Sequence, residues 1–244
     1  MRNLAFALSY VLFGSFAALS LFWAAVSIRR LEIPSAVVTL GFAVLCIGLI
    51  VPTVLVSLGR VTPRGLVDAD GTVIRVDRTI HRWSVAAEIG AFVMLATYAV
   101  FEPLGMIDIP GPPGDGRRFL YLSIAGAVWG LVTLRKTIKR GGSFIRLTPY
   151  DIELSRGWSS TQCAWADITD VSDRREGKRL PVRESVFVTL KDGRVQLFVM
   201  DSYTPEGTAM RRLVRHYWQH PERRDELTTD RALKRLENED FWSD

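Results

Sequence analysis

The chain has 244 residues, 48% of them hydrophobic, and carries a net charge of +5; that length fits one or two domains of about 100–200 residues. The excess is spread over both halves, with 10 basic and 8 acidic residues up to position 134 and 21 and 18 after it, so it reads as bias near a membrane surface and not as a nucleic-acid footprint. Cys46 and Cys163 lie in different halves; no disulfide framework is indicated, two cysteines make no zinc site, and each reads as a small buried hydrophobe.

Four apolar runs fill the first part of the chain. Residues 4–28 form an uncharged run of 25, where a bilayer span needs about 20. It is too long for the apolar region of a signal peptide, and more spans follow. Residues 33–58 form the second run, with Pro52 inside it as a kink position. Residues 83–101 form the third, broken only by Glu88, and residues 119–134 the fourth and shortest, which snorkelling basic side chains extend toward position 138. Ten basic residues fall on one side of these spans: Arg2, Arg60, Arg64, Arg75, Arg78, Arg82, Arg135, Lys136, Lys139 and Arg140. Four, Arg29, Arg30, Arg117 and Arg118, fall on the other. The positive-inside rule then places both termini in the cytoplasm of a cell-membrane protein, with the Pro/Gly-rich connector at 109–116 outside.

Between spans two and three, strands are expected at 66–68 and 73–76 around the turn Ala69-Asp70-Gly71, as a short hairpin in a cytoplasmic loop at 60–78. Its entry, Arg60-Val61-Thr62-Pro63-Arg64-Gly65-Leu66, is similar to Arg146-Leu147-Thr148-Pro149-Tyr150-Asp151-Ile152 at an offset of 86 residues. Each copy follows a pair of spans, so the unit reads as helix, helix, strand pair.

From position 144 the grammar is that of strands. Ile152 and Leu154 alternate with Asp151, Glu153 and Ser155, and a second strand runs from 158 to about 165. Trp165, Ile168 and Val171 are apolar at every third position, as in a strand entered through a bend. Val186, Val188 and Leu190 share one face, and Val195, Leu197 and Val199 share another, with the hairpin turn Asp192-Gly193 between them. Both faces are expected in the core. Thr204-Pro205 opens a helix as N-cap and first residue. Met210, Leu213, Val214, Tyr217 and Trp218 form its apolar stripe, and Pro221 ends it. A charged, helical segment follows from 222, anchored by Leu227, Leu233 and Leu236, with a loose tail.

Six strands and an amphipathic helix, with the Leu147-Thr148-Pro149 entry, Ile152-Glu153-Leu154 and the Trp165-x-Asp167-Ile168-x-x-Val171 element, resemble the bacterial PH-like domain family of multi-pass membrane proteins. The resemblance covers 144 to about 220 and implies a small, bent antiparallel barrel capped by its C-terminal helix. A full barrel has one more strand than the six read here. The expected organisation is therefore a four-helix transmembrane region at 1–140, a PH-like cytoplasmic domain at 142–220 that folds without the membrane part, and a charged helix and tail at 221–244.

No nucleotide-binding, nucleophile-elbow or zinc-protease motif is present, and no pair of carboxylates shares a credible pocket, so neither catalysis nor a cofactor is expected. His216 and His220 have helical i, i+4 spacing, but no carboxylate completes a metal motif. The basic residues Arg174, Arg175, Lys178, Arg179 and Arg183, with Trp158, are the candidate surface for a protein partner or for anionic membrane lipids. Their plain alternatives are a solvated loop and a rim aromatic. Glu88 is the candidate intramembrane polar site: a proton or ion relay, as in a transport or channel accessory protein, a polar contact between helices, or a carboxylate that reaches the interface near Arg82. The expected function is that of a non-catalytic scaffold or regulatory subunit, bound to membrane lipids and to a protein partner or a second copy of itself, without nucleic acid.

Overall fold

The computed structural model describes residues 2–109, 116–156, 159–172, 185–239 and 241. It divides into two compact units, Met1–Val54 with Thr79–Lys139, and Leu55–Arg78 with Arg140–Asp244.

The first unit is built on helices α1 (Arg2–Arg29), α2 (Ile33–Ser57), α3 (Arg78–Phe101) and α4 (Gly116–Arg140). All four are long and apolar enough to cross a membrane, over 22 to 25 residues each. At 1.5 Å per residue that is about 33 Å or more, against a hydrocarbon core of about 30 Å. The molecule is consistent with a multi-pass membrane protein. The short link between α1 and α2 turns on Leu31, at φ 60°. There the Glu32 N–H donates to the Ser27 carbonyl at 2.9 Å, closing the end of α1.

Glycines set how closely these helices pack. A Cβ at Gly41 would lie 2.8 Å from the Gly90 carbonyl oxygen, and one at Gly90 would lie 2.7 Å from the Gly41 carbonyl. Gly48 approaches the Trp83 carbonyl as closely, so α2 and α3 meet backbone to backbone. On α4, Gly126 lies against Leu95 and Gly130 against Phe92, on the same face as the buried Ser123 and Thr137. At the far ends of the helices Arg30 pairs with Asp108 at 3.6 Å, and the Asp108 N–H donates to the Ser35 hydroxyl at 2.9 Å.

The second unit holds two antiparallel sheets that do not close into a barrel. One is a five-stranded meander, β1 (Arg64–Val67), β2 (Thr72–Arg75), β3 (Ser143–Leu147), β4 (Asp151–Arg156) and β5 (Ser160–Ala164). The other has three strands, β6 (Ile168–Ser172), β7 (Ser185–Leu190) and β8 (Val195–Val199). Helices α5 (Thr208–Gln219) and α6 (Arg231–Asn238) complete the unit. Ile74, Ile145, Leu147, Ile152 and Leu154 from the first sheet share one core with Val171, Val186, Val188 and Phe198 from the second. The α5 stripe joins that core, with Met210, Leu213, Val214 and Tyr217 fully buried. Trp165, Ile168 and Val171 are buried as their spacing predicts. The bend before β6 is a single 3-10 turn at Trp165–Asp167.

Several expectations are corrected here. The hairpin between spans two and three is the outer edge of the five-stranded sheet: Thr72 to Arg75 pair in register with Leu147 to Phe144. Two neighbouring strands, β2 and β3, are thus joined through the helical hairpin α3–α4, where a turn would ordinarily stand. Among the described residues, positions 143–199 hold the six strands expected there, β3 to β8, and the hairpin adds β1 and β2 to the same unit. Val195, Leu197 and Val199 do not enter the core; they are 40–42% exposed, while Phe198 and Met200 are fully buried. Both phases of β8 are apolar, and the core takes the bulkier set. Helix α5 begins at Thr208 and not at Pro205, because Glu206 and Gly207 are left-handed, at φ 55° and 64°. Thr204 is therefore not the residue flanking α5, but its hydroxyl still accepts a hydrogen bond from the Met210 N–H in the first turn, at 3.4 Å. The segment after Pro221 is not a separate tail: Leu227, Ala232, Leu236 and Phe241 belong to the core. The Thr72 hydroxyl donates to the Leu227 carbonyl at 2.6 Å, and Leu233 packs on the bare backbone of Gly65. The C-terminal segment and the β1–β2 hairpin cover each other.

Candidate functional site

Of the residues singled out from the sequence, Trp158, Arg174, Arg175, Lys178, Arg179 and Arg183 lie outside the described residues. Glu88 is described. It stands on α3 between Ala87, which packs on Gly48, and Gly90, which packs on Gly41. Its carboxylate lies near the Thr137 side chain in the last turn of α4. One of its oxygens, Oε2, is buried with no hydrogen-bond partner among the described residues. It is a polar group between two helices near one end of the bundle. A small cavity of about 170 Å³ lies between α1 and α2, lined by Ser9, Tyr10, Phe13, Leu49, Ile50 and Thr53. The Tyr10 hydroxyl donates to the Thr53 carbonyl at 3.3 Å beside it.

The densest polar cluster of the second unit is one that the sequence does not single out as a site. Arg235 of α6 donates to both oxygens of Glu226, at 3.2 and 3.1 Å, and the Tyr217 hydroxyl of α5 donates to the same carboxylate at 3.2 Å. The two charged side chains are only 14% and 12% exposed. Burial alone would raise the Glu226 carboxyl; the Arg235 hydrogen bonds and charge overcome it and hold the group below the usual carboxylate range. Burial pushes the Tyr217 hydroxyl up, and the charge of Glu226 adds to it. Beside them His216 is buried, with Nε2 unpartnered among the described residues. Burial holds its pKa below the ordinary value, with Arg235, His220 and Arg223 acting in the same direction. Arg224 lies over the Trp165 ring at 5.1 Å and donates to the Tyr217 carbonyl at 2.8 Å, satisfying an end of α5. The cluster fastens the C-terminal segment to α5. Its only sequence signal is the set of leucines at 227, 233 and 236, which mark the segment as packed.

No group of three His, Cys, Asp or Glu among the described residues is placed to hold a metal. The His216 and His220 rings do lie close, with centroids 4.8 Å apart and planes tilted by 42°, but the nearest acid to His220 is Glu222 at 3.1 Å, which is exposed. An exposed apolar row of the unit lies on β8. Val195, Leu197 and Val199 project from an edge strand, and Arg156 from β4 donates to the Leu197 carbonyl at 2.6 Å, holding that edge. Edge strands with exposed apolar side chains are pairing surfaces unless blunted.

Comparison with protein-family models, with curated proteins and with solved structures found no match to this chain.

Proposed function

We propose that the chain is a non-catalytic membrane scaffold or regulatory subunit, whose strand-rich unit is a cytoplasmic PH-like module that binds a partner protein. The observation that carries the reading is the exposed row Val195, Leu197 and Val199 on β8, the edge strand of its sheet among the described residues. A row of aliphatic side chains along an edge strand is a surface that a partner can cover, and with the Leu197 carbonyl already held by Arg156 the side chains supply the contact. A second copy of the chain is one such partner, and the anionic membrane surface is the other binding surface in this reading. The PH-like assignment is supported by how the signature residues join: Trp165 Nε1 donates to the Thr148 carbonyl at 2.8 Å, and Trp218 Nε1 to the Ile168 carbonyl at 3.3 Å. The entry turn, the bend and the closing helix are thereby tied together. The cell-membrane location and cytoplasmic termini rest on the ten-to-four distribution of basic residues.

A photo-cross-linking side chain at position 197, in native membranes, tests the partner. A discrete adduct is expected from 197 and not from the exposed position 162 on β5. An adduct of twice the chain mass identifies a second copy. No adduct above that of position 162 removes the reading.

A further inference from the structure

The face of the five-stranded sheet turned away from the core gathers three guanidinium groups. Arg64 and Arg75 are register partners on β1 and β2, so their side chains leave the same face with Cβ atoms about 5 Å apart. Arg146 on β3 shares that face, since its register partner is Val73, two residues from Arg75 along β2. Like charges placed directly opposite on neighbouring strands repel each other. The acids nearby do not relieve this pair. Arg146 Nη2 is paired with Asp68 at 2.9 Å, although Glu153 is its register partner on β4. Arg75 Nη1 donates to the neutral Gly141 carbonyl at 3.2 Å. The Nε groups of both Arg75 and Arg146 are buried with no hydrogen-bond partner among the described residues. Each contact uses one of five guanidinium N–H donors. A directly opposed pair of like charges, with a third arginine on the same face, is answered by an anion with several acceptor oxygens, which can take the guanidinium N–H groups those contacts leave unused.

Phosphate fits that description, because guanidinium forks match its oxygens two at a time. We infer that Arg64, Arg75 and Arg146 form a binding site for a phosphate group, carried by an anionic membrane lipid or present as free phosphate. Arg75 stands three residues before Arg78, the first residue of α3, a helix long and apolar enough to cross a membrane. The site does not depend on the partner surface of β8, nor on the basic residues between 174 and 183.

The test uses the full-length protein in detergent, with thermal melting as the readout. Dihexanoyl phosphatidylglycerol, dihexanoyl phosphatidylcholine and inorganic phosphate are titrated separately. A saturable rise in melting temperature with the glycerol lipid is expected at low salt, with apparent affinity about tenfold weaker in Arg64→Gln and in Arg75→Gln. A rise with inorganic phosphate as well assigns the site to phosphate itself; a rise with the lipid alone assigns it to the headgroup. Without any anion, Arg64→Gln should melt no lower than the parent, because it removes one of two repelling charges, whereas a merely structural arginine would lower it. Glu153→Gln takes an acid off the same face and should tighten binding; this variant decides the matter if the arginine variants do not fold. Equal affinity in parent and variants, no saturable response to either anion, or an equal response to phosphatidylcholine overturns the site.

Discussion

Glu226 shows how one carboxylate can close a unit of this size. It accepts hydrogen bonds from Arg235 on α6 and from Tyr217 on α5, so its loss strands a mostly buried guanidinium and a phenol together. Removing one partner of a buried pair is costly, and Glu226→Ala should destabilise the second unit by about 3 kcal/mol, read as a shift in its thermal or denaturant midpoint. His216 makes the same region pH-dependent. Its folded pKa lies below its unfolded value, through burial and the charges of Arg235, His220 and Arg223. The imidazole is therefore neutral in the fold and takes up a proton on unfolding, so stability is full above the ordinary histidine pKa of about 6.5 and falls as pH drops below it. Melting at pH 7.5, 6.5 and 5.5 should show this loss, and His216→Phe should flatten it. A slope unchanged in the variant would assign the effect to other groups.

Among the elements, α2 and α3 depend on bare backbone at their crossing. Gly90 carries no side chain because any Cβ there meets the Gly41 carbonyl. Gly90→Leu should force the helices apart, at a cost of about 1–3 kcal/mol or more, and lower the yield and melting temperature of purified protein. A Cβ at Gly14 on α1 would meet nothing within 4 Å, so Gly14→Leu should leave both unchanged. In the other unit, the 3-10 and helical segment after Pro221 acts as a cover through Leu227, which is fully buried. Leu227→Ala should cost about 2–5 kcal/mol. A cost near zero, measured by chemical denaturation, would mean that the segment lies outside the cooperative unit.

For the whole molecule, the consequence of joining β2 to β3 through α3 and α4 is that the second unit is discontinuous in sequence. A fragment of residues 142–220 lacks β1, β2 and the C-terminal cover, and leaves β3 as an edge with Ile74, Leu227 and Leu236 missing from the core. It should show no cooperative melt. Residues 60–77 joined by a short loop directly to 142–241 restore the β2–β3 pair as an ordinary hairpin and should melt cooperatively with a strand-rich circular dichroism spectrum. The reverse result would show that the hairpin is dispensable. The orientation is tested separately: a reporter active only outside the cytoplasm should be silent when fused at position 244 and active at position 114.

The amino-acid sequence by itself determined the features that depend on short-range periodicity. Four helices long and apolar enough to cross a membrane are legible because a span needs about 20 consecutive, mostly apolar residues, and the α5 stripe and the Asp192-Gly193 turn because their signals lie within a few positions. What depends on distant pairing was not legible. That β2 pairs with β3 is a contact across the whole α3–α4 hairpin, and nothing local in Thr72-Val73-Ile74-Arg75 names its partner. The phase of β8 was undecided locally, since Val195-Gln196-Leu197-Phe198-Val199-Met200 offers two apolar faces; the volume left in the core selected Phe198 and Met200. Glu226, Arg235 and Tyr217 look like ordinary polar residues of a charged segment until the fold brings them within hydrogen-bonding distance. Arg64 and Arg75 become neighbours only through strand register. Tertiary structure decided these points because burial and charge act through space, and the chain distance between partners carries no physical force.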